Sequence, residues 1–412
     1  MNVRVLTLEE AGSAQLIQGA IDALGESGGR LVLPAMELTL DRGLCLRSGV
    51  ELVGQGKATV LRKGPGRVYP LSGYHNYGMC DVPLRSTAGL GVGMTVSIHD
   101  SRTHGGFYET FATITSIDGN WVGLDHGIEA DYRAEDEPCL TTVYPLVFAH
   151  RVRDVALRDM RLEGNRAEDE KTMGGCRGGA VYFYQSCGVE VTGVAERDYR
   201  GEGLSFQMCR DVHIHNSRFD ENAGNGLHPG AGSTNALFEG CAGTANDKSG
   251  FFFCVRANHI TVKQCQFSRN GLGISIGTRD CHNLIEECTV EENGGQGILA
   301  RQTPSPTEVH SCEVRSCRLR GNAHREGRGQ IEVIGEAHDL AFVGNELRGG
   351  SRATAGIFAE AAARNLYLAD NDIAGCDPHV DVSPGSLIEE RPDVECGYGV
   401  APDSAYRHLP QL

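Results

Sequence analysis

The 412-residue sequence has a single tryptophan against 55 glycines, and aromatic residues make up only 6% of it. No stretch approaches 18 uncharged apolar residues, which excludes a conventional membrane-spanning helix. The opening MNVRVLTLEEAGSAQLIQG lacks a basic segment followed by a continuous apolar run, so no export signal is visible. Basic side chains are also scarce: 38 Lys and Arg face 54 Asp and Glu, for a net charge of -16. That balance argues against nucleic acid or an anionic membrane as a general partner, though not against one locally basic cleft. The 15 cysteines are odd in number and give neither a CxxC pair nor a local Cys/His zinc pattern. A reduced, cytoplasmic setting is therefore expected, or secretion if a leader has been trimmed away.

What the sequence does have is repetition. From about residue 205, NSRFDENAGNGLHP, GCAGTANDKSGFFF, QCQFSRNGLGISI, ECTVEENGGQGIL and SCRLRGNAHREGRGQIEV succeed one another. Their marker asparagines, Asn222, Asn246, Asn270, Asn293 and Asn322, stand 24, 24, 23 and 29 residues apart, which is the period of a solenoid. Period-2 alternation between turn residues predicts three short strands per turn and no helices. Parallel turns stacked about 4.8 Å apart place equivalent residues in ladders. One ladder holds the asparagines; another holds Ser217, Cys241, Cys265, Cys288 and Cys317 at an inward corner. Both are assigned to packing: stacked amides satisfy turn backbone groups, and small thiols fill a narrow interior. Cys254 is expected to point outward, with no histidine neighbour and no special role.

These features resemble the pectin-lyase-like right-handed parallel β-helix proteins. The opening SAQLIQGAIDALGESGGRLVLPAMELTL is similar to their entry, an amphipathic cap helix followed by a Gly-Gly strand. Leu16, Ile17, Ala20, Ile21 and Leu24 fall on one helical face. The fold expected is all-β: a single-stranded parallel β-helix with an N-terminal capping helix and a small antiparallel insertion. The expected parts are cap and first coil over 1–64, loop plus insertion over 65–143, solenoid over 144–390 and tail over 391–412. The first coil is read at 47–63. The insertion proper is read from 86 to 143, with a turn at Asp-Gly-Asn, and 65–85 as a loop bearing Tyr74, His75, Tyr77 and Cys80.

Aligned strands give an outward-facing set that carries the candidate chemistry: Tyr182, Tyr184, Ser205, Gln207, His228, Phe252, Arg256, Ser275, Arg279, Leu299, Arg301 and Glu332. His228 interrupts the smooth stretch NGLHPGAGS, where Gly230 and Gly232 are expected to leave room for a ligand. Arg256 and Arg279 share a column on adjacent turns. Such a pair repels unless an anion lies between them, either a ligand or a neighbouring Asp280 or Glu332.

NGLHPGAGS, NDKSGFFFCV, GLGISIGT and GILARQ further resemble the successive site turns of polygalacturonase-type hydrolases in framework, though not in chemistry. Asn225, Lys248 and Ser249 stand where that family has aspartates, and Leu272 stands where it has histidine. Inverting hydrolysis needs an acid and a base carboxyl on opposite sides of the bond. The expected activity is therefore lyase-type β-elimination on a uronate-containing polysaccharide. Arg256, Arg279, Arg301, Gln207 and Asn225 would bind substrate, His228 or Lys248 would remove the proton, and Tyr182 or Tyr184 would protonate the leaving oxygen. The alternatives are a hydrolase or transglycosylase pairing Asp247 with Asp220, Glu221 or Glu202, a uronate epimerase, and a non-catalytic glycan-binding solenoid. Resemblance to lyases on this fold implies Ca²⁺ as an admissible cofactor, but the outward columns hold no acidic triplet and no metal ligand is assigned. The partner expected is a carbohydrate, without nucleic acid or membrane; homo-oligomers are compatible with this reading.

Overall fold

The computed structural model describes residues 2–102, 109–173, 176–394 and 397–399. The chain is a right-handed parallel β-helix. Each full turn contributes one strand to each of three parallel stacks. The stack that matters for function, called here the site sheet, has 11 strands. Its central members are Val181–Tyr184, Leu204–Gln207, Leu227–Gly230, Ser249–Phe252, Leu272–Ile276 and Ile298–Ala300. The other two stacks meet at a bend, which the long strands Arg153–Glu163 and Cys187–Arg197 cross without a break.

Alternation sets the interior. Val181, Phe183, Leu204, Phe206, Leu227, Phe251 and Ile274 are fully enclosed in one continuous core. The asparagine ladder runs along the corner before the site sheet. Asn246 Oδ1 accepts the Asn222 amide at 3.0 Å, Asn270 Oδ1 accepts that of Asn246 at 2.9 Å, and Asn293 Oδ1 accepts that of Asn270 at 2.9 Å. Asn270 also donates through Nδ2 to the Gly243 carbonyl at 2.9 Å. Asn270→Ala leaves these buried groups unpaired and is expected to lower stability by about 1–3 kcal/mol in chemical denaturation.

The helix Ala14–Gly25 caps the open end, its first turn closed by Ser13 Oγ accepting the Leu16 amide at 3.2 Å. Ala14, Ile17, Ala20, Ile21 and Leu24 are buried. Leu16, expected among them, is 53% exposed because it lies at the edge of the apolar stripe. The solenoid also begins earlier than 47. Gly29–Val32 and Met36–Leu40 already form a coil beneath Val50–Val53 and Thr59–Lys63.

Between Lys63 and Val147 the chain leaves the solenoid to build a separate six-stranded sheet with its own core, including Val82, Ile98, Ile114, Val122 and Leu140. The hairpin Thr110–Asp118 to Trp121–Leu124 turns at Gly119-Asn120, with Gly119 at φ +59°. The stretch read as a loop supplies the strands Val68–Pro70 and Asp81–Pro83. These meet through a Leu71–Leu84 bridge, with Ser72 donating to Pro83 and Arg85 to Pro70, so the sheet closes into a small barrel. The short apolar alternations around Val68 and Val82 carried this signal, but Gly and Tyr punctuation masked it. The expected tail lies mostly outside the described residues.

Candidate functional site

The outward face of the site sheet does not stand bare. After Glu163 the chain forms a short turn at Arg166–Glu168; of the covering segment that follows, 169–173 and 176–178 are described, and Cys176 lies against His228 and Tyr182 on the outward face. Three ion pairs hold it. Asp169 pairs with Lys63, both side chains fully buried. Lys171 Nζ lies 3.2 Å from Glu109 of the barrel, and Arg177 lies 3.0 Å from Glu129, also of the barrel. Met173 packs into the core, where its sulfur accepts the Tyr199 hydroxyl at 3.4 Å.

This cover changes the standing of several expected site residues. His228 does point outward from the solenoid, yet it is only 2% exposed, because Cys176 lies beside it and the Phe252 ring meets it edge-on at 5.1 Å. It is not a surface ring, and truncating it would open a buried cavity. Room beside Gly230 is also absent: a Cβ there would meet the Gln207 amide at 2.4 Å. Gln207 is itself fully buried, donating to Ser205 Oγ at 3.0 Å. Tyr182 is buried and its hydroxyl donates to the Cys176 carbonyl at 3.3 Å; burial raises its pKa. Asn225 is a backbone fastener, with Oδ1 accepting the Ser249 amide at 2.8 Å. Only Tyr184 of the two tyrosines stays half-buried.

Around His228 the structure assembles a group that local spacing did not reveal. Ligand atoms of Cys176, His228 and Cys254 lie within 4.8 Å of one another, with the sulfurs 3.9 Å apart. Cys254 therefore has the histidine neighbour it was expected to lack. Contact between the thiols lowers the pKa of Cys176 and raises that of Cys254. Glu202, also 2% exposed, places Oε2 at 3.5 Å from His228 Nδ1 and accepts the Asn225 amide at 2.8 Å. Burial works against a charged ring at His228, but Cys254 and Glu202 outweigh it and raise its pKa to about 9.

Three turns on from His228, Arg301 reaches back over the Phe252 ring at 4.3 Å, donating to the Phe253 carbonyl at 3.0 Å and to Ser275. It occupies the space above Gly277, where a Cβ would come within 1.8 Å of the guanidinium. Its side chain is thus committed to the protein. Buried Asp280 lies 3.9 Å from it and accepts the Ala257 and Gly277 amides; burial, partly offset by Arg301, raises its pKa to about 7.

The exposed candidates lie at the two edges of the sheet. Asp247 and Lys248 precede the strand Ser249–Phe252. Asp247 is paired at 3.1 Å with Arg166, which also lies 3.9 Å from Asp198, whereas the Lys248 charge reaches the Cys176 thiol. At the opposite edge, Arg256 and Arg279 are both exposed and both in the left-handed backbone region, at φ +65° and +57°. Arg256 donates its amide to the Thr278 carbonyl, so the two occupy equivalent places on adjacent turns. Neither of the anions considered for them serves: Asp280 faces backbone amides and Arg301, and Glu332 accepts from Gln296 and the Arg328 amide. Among the described residues, neither guanidinium has an ion-pair partner.

Residues 230–373 match the family model described as right handed beta helix region. No curated protein matches the chain by sequence. Among solved structures, the chain is similar to the A-module of mannuronan C-5 epimerase AlgE4 from Azotobacter vinelandii, at 17% identity and a TM-score of 0.57, covering 92% of this chain and 96% of that one. It is similar at 16% identity and 0.55 to the AlgE6 A-module of the same organism, covering 92% and 95%. It is also similar to an exopolygalacturonase from Thermotoga maritima, at 12% identity and 0.52, covering 90% and 92%. At these identities the likeness establishes the fold. None of these matches supports the cytoplasmic setting, and no helix of the described residues is long and apolar enough to cross a membrane.

Proposed function

We propose that the chain acts on a uronate-containing polysaccharide laid across the site sheet, by abstracting the proton beside a uronate carboxylate. The observation that carries this reading is the unpaired Arg256–Arg279 column in a protein of net charge -16. Two arginines on adjacent turns, about 4.8 Å apart at the backbone, bring like charges together and gain by binding a planar anion between them. The similarity in fold to epimerases and a polygalacturonase accords with a glycan as that anion's carrier.

Lys248 is the exposed base at the other edge. The strand Ser249–Phe252 lies between Lys248 and Arg256, and in this reading the arginines hold the carboxylate of one sugar while Lys248 works on another. Binding energy gathered at the arginine edge then serves to position the reacting unit. Tyr184, not the buried Tyr182, is left as the group that protonates the leaving oxygen. Elimination and epimerisation share the first step and differ in the fate of the carbanion: it either expels the leaving oxygen or takes a proton back on the opposite face. Hydrolysis is disfavoured, because Asp247 is tied to Arg166 and Glu202 is buried.

Incubation with polymannuronate, polygalacturonate and neutral glycans in heavy water separates the readings. On polyuronates we expect ultraviolet absorbance from unsaturated ends without carbon-bound deuterium, because elimination leaves no hydrogen on the reacting carbon; deuterium incorporation without absorbance means epimerisation. Reducing ends without either signal would overturn the proposal in favour of hydrolysis, and binding with no product in favour of a glycan-binding solenoid.

A further inference from the structure

We propose that Cys176, His228 and Cys254 form a zinc site that clamps the covering segment to two neighbouring turns of the solenoid. The inference stands apart from the glycan reading and uses none of its residues at the sheet edges.

The first support is metrical. Two sulfurs each about 2.3 Å from zinc in a tetrahedron stand about 3.8 Å apart. Here the separation is 3.9 Å, with the His228 donor inside the same 4.8 Å cluster. The second support is the state of His228. It is 2% exposed, and neither ring nitrogen makes a well-formed hydrogen bond, with Glu202 Oε2 no nearer to Nδ1 than 3.5 Å. A buried imidazole left so is costly unless something else occupies its lone pair. Third, Glu202 faces Nδ1 at 3.5 Å and is itself fixed by the Asn225 amide. A carboxylate behind an imidazole is the usual outer support of a metal-bound histidine, and it leaves Nε2 to face the ion. Two thiolates and an imidazole suit zinc and disfavour calcium or magnesium. Three protein ligands leave a fourth position for water.

The placement explains the clamp. Cys176 belongs to the covering segment, whereas His228 and Cys254 sit on and just after adjacent site-sheet strands. One ion therefore fastens a segment otherwise held by ion pairs at its flanks.

The test uses the full chain, purified under reducing conditions with zinc supplied and then desalted, with metal content measured by plasma mass spectrometry. We expect one zinc per chain, lost in Cys176→Ser. This variant alters only the covering segment, and circular dichroism checks its fold. Cobalt(II) in place of zinc should give a sulfur-to-metal charge-transfer band that Cys176→Ser abolishes. Glu202→Gln should keep the ion but weaken it by about 10–100-fold in chelator competition. Three results would each overturn the proposal: no metal retained by chains whose thiols are verified as reduced, a zinc content unchanged in Cys176→Ser, or a Cys176–Cys254 disulfide in peptide mapping of the native protein.

Discussion

Lys63→Met is expected to destabilise the protein by about 3–5 kcal/mol, the penalty for stranding the other half of a buried ion pair. Lys63 and Asp169 are both fully enclosed. Lys63 also donates to the Gly64 carbonyl at 3.0 Å and sits 4.7 Å over the Tyr144 ring. Burial lowers the pKa of the ammonium and raises that of the carboxyl, and the pairing of the two opposes both shifts. In urea denaturation the single variant should lose stability, and Lys63→Met with Asp169→Leu should recover much of it. Equal losses in the single and double variants would instead trace the effect to packing against Tyr144.

The second large effect concerns turnover. Lys248→Ala should slow the reaction on polyuronate by about 10²–10⁴-fold, the usual share of a positioned proton-transfer group. Its side chain is exposed, so unfolding free energy should stay within about 0.5 kcal/mol of wild type. Arg256→Lys should act in a different way, raising KM with little change in kcat, because a point charge cannot reproduce a planar fork. If Lys248→Ala retains full turnover, the base lies elsewhere, and the covered His228 would have to be uncovered to take its place.

Much of this was legible in the residues. The asparagine markers fixed the coil, the first and third strand positions fixed the core, and the 23-residue step from Arg256 to Arg279 placed two cations on one column. The cover over the site sheet was not legible. Its anchors join Lys63 to Asp169 across 106 residues and Glu109 to Lys171 across 62, and no periodicity encodes such contacts. That is why His228, Tyr182 and Gln207 read as accessible. The meeting of His228 with Cys254 left a fainter trace. Their 26-residue separation is close to the coil period of 24, so stacking alone brings them side by side. Cys176 obeys no such period, and without it the pair looks ordinary.

The barrel inserted after Lys63 has a consequence for how the chain closes on itself. Most coils meet partners 23 to 29 residues away, whereas Ser48 and Arg153 meet across 105. As a loose loop, that detour would add only about 1.3 kcal/mol of closure entropy over a 24-residue step, since the cost grows with the logarithm of length. Folded, it adds less, because the barrel brings its own ends together: the Gly64 amide reaches the Tyr144 hydroxyl at 3.2 Å. A corner of this kind can therefore accept a whole domain while stacking continues beneath it. The barrel tied to the cover of the site sheet can then vary in shape without disturbing the coils that carry it.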